Sequence, residues 1–299
     1  MIRVVDLFAG AGGSSLGAHM AGCQVVFAAN HWAQAVAVHA QNFPGTEHAC
    51  QDLRQFDFAS LPDHDLLLAS PACQGHARAR GKDRGPVHDA SRSTAWAVID
   101  ALEAKRPRWF VVENVPEFLK WTLFPTFADA LTRLGYWFDP LIVNAAEHGV
   151  CQTRVRLYLR GQRKAMLRTL ALPRKKMIPV RSILDLGKGT FRPTTGRAVK
   201  TMEWIRAGRE RFGDKFLLAY YGSGGPKSLD QPLNTVTTRD RFALVEGEGM
   251  RMIQVPELRR AFALPDWYKL TGQHKLDVHL LGNSVISKIM AMVIEGTVS

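Results

Sequence analysis

Short apolar runs, each stopped by glycine, proline or a polar pair, alternate with helical stretches along the first half of the chain. Arg3 to Phe8 is β-rich, Ala9 to Gly13 is a glycine turn, and Ser14 to Gly22 reads as a helix. Gln24 to Ala29 is a second strand, and Trp32 to Asn42 has helical periodicity closed by Pro44-Gly45. Two successive βα units predict a parallel, doubly wound α/β sheet. Leu66 to Ala69 reads as a buried strand that Ser70-Pro71 stops before Cys73 and a Gly/Arg-rich segment. Ser91 to Lys105 is a predicted helix, and Arg108 to Val112 a further strand followed by Glu113-Asn114-Val115-Pro116. Leu123 to Leu134 is amphipathic and Tyr136 to Val143 strand-like. Gln152 to Leu159 alternates so that Gln152, Arg154 and Arg156 share one face, either solvated or functional.

Residues at the carboxyl ends of parallel strands face the crevice where open α/β sheets bind ligands. Cys73 and Glu113 both fall there if their strands belong to one sheet. Taken alone, Cys73 could be a small buried hydrophobe and Glu113 a helix cap. The glycine turn after the first strand suits a dinucleotide, a nucleoside cofactor or nothing. Where dinucleotide folds carry an acid at the end of the second strand, this chain has Asn30-His31. Asp52 could accept a hydrogen bond from an adenine amino group or cap a turn.

Composition narrows the partners. The 299 residues, 46% of them hydrophobic and 22% charged, suit a globular protein of one or two domains. The balance of 39 Lys+Arg against 27 Asp+Glu, net +12, favours a polyanionic partner, nucleic acid first, or an anionic membrane surface, the plain alternative being a merely basic soluble protein. The four cysteines form no CxxC pair, so neither a zinc site nor a disulfide framework is expected. No metal is expected. The first strand begins at once, and no apolar run approaches the ~18–20 residues of a membrane span, so a cytoplasmic protein without membrane contact is expected.

The ordered blocks DLFAGAGGSSLG, SPACQG, ENVPEF, QTRVRLY, PLNTVTTRDR and LGNSV, from Asp6 to Val285, resemble the cytosine-C5 DNA methyltransferase family. The resemblance implies a Rossmann-like S-adenosylmethionine-dependent methyltransferase sheet with a smaller target-recognition domain. It also implies S-adenosylmethionine as donor, S-adenosylhomocysteine as product, and double-stranded DNA as partner of a monomeric bacterial or phage enzyme. Cys73 matches the nucleophile that adds to C6 of cytosine, since C5 is too electron-poor to attack a methyl sulfonium unaided. Glu113 matches the acid at N3, Asn114 its positioning neighbour, and Arg154 with Arg156 the guanidinium block beside the base. By the same matching Phe8, Gly10, Gly12, Asp52, Pro71 and Asn283 line the cofactor pocket. His31 stands where the family usually has a glutamate for the ribose hydroxyls, and Ala72 where it has a second proline. The target base must leave the duplex, and His76, Arg78, Arg80, Lys82 and Arg84 suit a basic loop closing over DNA.

From about Gln162 basic residues come in quick succession, then proline- and glycine-broken segments with few long periodic runs extend to Gly249. The expected division is therefore a catalytic domain of residues 1–161 and 255–299 and a target-recognition domain of residues 162–254. Gly187 to Arg197 and Tyr220 to Gly225 are candidate reading loops, and Pro256 to Trp267 a candidate helix returning to the first domain. The length leaves no room for a nuclease, so any restriction partner would be a separate chain.

Overall fold

A computed structural model of the chain describes residues 1–72, 94–221 and 224–299. Its strands are β1 (Arg3–Leu7), β2 (Gln24–Asn30), β3 (Glu47–Cys50), β4 (Leu66–Ala69), β5 (Trp109–Asn114), β6 (Tyr136–Asn144), β7 (Gln152–Thr153) and β8 (Val155–Arg163). There follow β9 (Arg192–Pro193), β10 (Lys215–Ala219), β11 (Gly225–Lys227), β12 (Leu233–Asn234), β13 (Phe242–Glu246) and β14 (Gly249–Met252). The chain forms two compact units: Met1–Asn144 with Val155–Pro173 and Ser284–Ser299, and Ala145–Arg154 with Arg174–Asn283.

The first unit is built on a seven-stranded sheet of order β3-β2-β1-β4-β5-β8-β6. β1 to β5 run parallel, and β8 runs antiparallel to both its neighbours. A sheet covered on both faces needs strands that are apolar throughout, and every residue of β4 and β5 is buried. The helix α1 (Gly13–Met20) joins β1 to β2, and α2 (Ala33–Asn42) joins β2 to β3. The strand order reverses at β1, which pairs with β2 on one side and β4 on the other. The C-terminal helix Ser287–Val298 packs on α1 so closely that a Cβ on Gly17 would sit 2.7 Å from Met290 Cβ and 2.8 Å from the Ser287 carbonyl. Arg160, fully buried, is compensated by the Asp139 carboxylate and by the carbonyls of Gly296 and Arg168.

The second unit holds a five-stranded antiparallel sheet, β11-β10-β13-β14-β9. The helix Val199–Phe212 covers it through Ile205, with Phe216, Leu218, Ala243, Val245 and Met250 beneath. A short parallel pair, β7 with β12, lies in the same unit. Arg251 forms a two-pronged pair with Glu257, both side chains almost wholly buried, and Glu257 also closes the capping box of the helix Val255–Ala261.

Several local expectations need correction. Residues 152–159 are not one strand: pairing breaks at Arg154, where the chain passes between units, so Gln152, Arg154 and Arg156 do not share one strand face. Glu113 lies inside β5 rather than after it, and Val115, not Glu113, opens the following 3₁₀ turn. The helix near 256 ends at Ala261, short of Trp267. Residues 162–254 hold a 14-residue helix despite their broken pattern. Residues 274–298 do reach the length of a membrane span, and an 18-residue stretch within them its mean hydropathy, 1.3; they form two helices, and 78% of that stretch is buried, as in helices of a protein core.

Candidate active site

Parallel register brings the sequence blocks of the first unit to one edge of its sheet. Leu7 is level with Ala29 and Ala69, and Ala69 with Val112. Phe8, Asn30-His31, Ser70-Pro71 and Glu113-Asn114 therefore all emerge at the carboxyl ends of adjacent strands, the position where such sheets bind ligands. Cys73 and the basic residues 76–84 lie outside the described residues.

The turn after β1 is wound tightly. Phe8 has φ +58°, Gly10 +56° and Gly12 +102°, and the Gly12 N–H donates to the Ala9 carbonyl at 2.9 Å. A bulky residue in the left-handed region is strained, and such strain persists where surrounding packing enforces it. Among the described residues a Cβ at Gly10 would meet nothing within 4 Å, so the turn is open on that side of them, whereas one at Gly13 would strike the Val285 carbonyl at 2.3 Å. The last block thus packs on the first within this unit, through Ser284-Val285. Asn283, exposed, ends the helix His274–Gly282 in the second unit and directly precedes them in the chain.

Glu113 is 8% exposed and forms an ion pair with Arg156, Nε to Oε1 3.3 Å. Asn114, 1% exposed, donates from Nδ2 to the Pro71 carbonyl at 3.2 Å and accepts the Val115 N–H at 2.8 Å. One amide side chain thereby ties the segment entering Cys73 to the end of the strand that carries Glu113.

Other predicted residues stand differently. Asp52 caps a 3₁₀ turn and is gripped by the Arg54 guanidinium, whose hydrogen bonds hold its carboxyl down at about 2. His31 is exposed next to it in charge terms, adding a small favourable field to Asp52. Arg154, in the second unit, donates to the carbonyls of Val236 and Gly282, each at 3.1 Å, and its guanidinium lies 5.5 Å from the Phe262 ring centre. Gln152 accepts the Val236 N–H and donates to Ala261, so QTR, the TVTT segment and the end of LG are knitted together in that unit.

A buried polar network beneath the turn was not foreseen. Asp6, 0% exposed, accepts the hydroxyls of Ser14 and Ser15 at 2.6 Å each. Ser15 Oγ is 2.8 Å from His39 Nε2, and His39 Nδ1 is 2.8 Å from His48 Nε2. Burial pushes Asp6 up to about 6 against the pull of the serine hydroxyls, and burial together with His48 drives His39 down to about 3. The visible signal was an acid inside the otherwise apolar run of β1.

The parallel sheet, the order reversal at β1 and the glycine turn at its carboxyl edge define a Rossmann-like, doubly wound α/β fold. A family model for C-5 cytosine-specific DNA methylase matches residues 2–188, and the chain belongs to that family. It is 34% identical over 163 residues to the Type II methyltransferase M.HaeII of Haemophilus aegyptius, covering 53% of this chain and 50% of that one. The matched stretch thus spans half the length of that relative. It is 30% identical over 311 residues to the Type II methyltransferase M.AplI of Arthrospira platensis, covering 94% of this chain and 81% of that one. A mutant of Spodoptera frugiperda DNMT2 shares the fold, with TM-score 0.74, 16% identity and full coverage of both chains.

Proposed function

We propose that the chain transfers a methyl group from S-adenosylmethionine to C5 of a cytosine flipped out of duplex DNA, at a short specific sequence, through a bond between Cys73 and C6. The observation that carries this reading is the Asn114 tether, which holds the approach to Cys73 against the strand end bearing Glu113. Cys73 as thiolate adds to C6 and raises electron density at C5. Glu113, oriented by Arg156, meets the N3 edge and relieves the charge that addition places on the ring. Once C5 carries the methyl group, which would leave its bonding pair on the donor's sulfur, loss of the C5 proton to water expels Cys73 as thiolate and restores the ring. Arg154 acts from beside the base, in keeping with its block.

The bound donor supplies an electrophilic methyl. The open side of the turn at Gly10 fits a nucleoside ligand, and Phe8, Gly10, Gly12, His31, Asp52, Pro71 and Asn283 would hold it. Residues 1–161 with 255–299 act as the catalytic part and 162–254 as the target-recognition part, a reading supported by the five-stranded sheet lying wholly within the latter interval. Basic residues there take phosphates, while other side chains read base edges. Because relatives are Type II methyltransferases, we assign the chain to bacterial restriction-modification, acting in the cytoplasm.

The test is a competition between duplex DNA and tRNA for label from a methyl-labelled donor, using the purified chain. Label in cytosine of the DNA supports the reading; label confined to the tRNA overturns it in favour of an RNA substrate.

A further inference from the structure

We propose that Asp6 sets the charge preference of the cofactor site, its buried carboxylate favouring the sulfonium donor over the uncharged thioether left after transfer. This rests on the cofactor reading above. Asp6 stands level with Ala28 and Leu68 in its neighbouring strands, so the sheet surrounds it with apolar groups. Oδ2 takes both serine hydroxyls, whereas Oδ1 is buried and has no partner among the described residues.

An orphaned carboxylate oxygen in a core is a cost that an apolar side chain would remove. Its position supplies a use. Asp6 lies two residues before the strained Phe8 and four before Gly10, at most about 14 Å of chain from the open side of the turn. Over such a distance a charge buried at one end is only partly screened.

The remaining members of the network leave that charge uncancelled. α1 contributes the two serine hydroxyls and the Ser15 backbone N–H, none of them charged, and burial lowers the pKa of both histidines, from α2 and β3. Methyl transfer removes one positive charge from the ligand as the sulfonium becomes a thioether. A fixed negative charge therefore holds the donor more tightly than the product and eases product release.

The experiment is calorimetric binding of S-adenosylmethionine and S-adenosylhomocysteine to the full chain and to Asp6→Asn at pH 7.5. The substitution keeps an acceptor for the serines while removing the charge. The ratio of the product's Kd to the donor's is expected to fall by about fivefold or more in Asp6→Asn. A merely structural role would weaken both ligands equally, and an unchanged ratio overturns the proposal. If Asp6→Asn does not fold, the wild-type ratio is followed from pH 7 to pH 5, where both ligands keep a protonated amino group and an ionised carboxylate. A ratio that falls with Asp6 protonation supports the proposal, and a constant ratio overturns it. A wild-type chain that binds neither ligand overturns the cofactor reading itself, and this inference with it.

Discussion

Replacing Asn114 by alanine tests the tether on which the catalytic reading leans. Asn114 is 1% exposed and serves two buried backbone groups, donating to the Pro71 carbonyl and accepting from the Val115 N–H. Alanine leaves both without that partner, at roughly 1–3 kcal/mol for each buried group. A loss of about 2–4 kcal/mol follows, because partial relaxation and water entry at an edge loop recover some of the sum. At about 2–4 °C per kcal/mol for a domain of this size, melting should fall by roughly 4–16 °C in differential scanning calorimetry. Asn114→Asp provides the control. It retains an acceptor for the Val115 N–H but sets a carboxylate against the Pro71 carbonyl, so it should lose methyl transfer as fully as alanine while keeping the bond to Val115. An alanine variant melting within 1 °C of wild type would refute the tether.

Three further expectations follow from the packing and the buried charges. Gly17→Val would drive a side chain into Met290 and the Ser287 carbonyl, with destabilisation of about 2 kcal/mol or more measurable by urea unfolding; Gly45→Ala, where a Cβ meets nothing within 4 Å among the described residues, should be near neutral. Glu257→Gln leaves Arg251 buried without its anion and should cost about 3–5 kcal/mol, whereas a stability change under 1 kcal/mol would show the pair to be dispensable. Asp6 has a folded pKa of about 6, raised from 3.8, so its protonated form stabilises the fold below about pH 4 and that contribution is lost as pH rises through 6. The change corresponds to about 3 kcal/mol, so the melting temperature of Asp6→Asn relative to wild type should improve between pH 4.5 and pH 7.5; a pH-independent difference would contradict it.

Punctuation made the first unit legible. β4 ends at Ala69 as the apolar run does, because Ser70-Pro71 stops the ladder, and β1 gives way to the turn where glycines begin. The break at Arg154 was hidden because alternation is a local signal, while the break follows from the chain changing units. The helix Val199–Phe212 was hidden because it buries only Ile205 and Gly208 fully, leaving a thin stripe among lysines and arginines. Glu113 was visible as a polar residue at a strand end. Its partner Arg156 was not, since antiparallel β8 enters between β5 and β6 and no sequence spacing encodes that neighbour. The Asp6 network likewise joins β1, α1, α2 and β3, four segments that only the folded sheet brings together.

Mass spectrometry of nucleosides from the DNA of cells expressing the chain, beside cells expressing Cys73→Ala, tests the central claim most directly. The account predicts new 5-methylcytosine, confined to one short sequence context on sequencing, and none with Cys73→Ala. Unmodified cytosine in the presence of folded, S-adenosylmethionine-binding wild-type protein, or equal modification by Cys73→Ala, would contradict it.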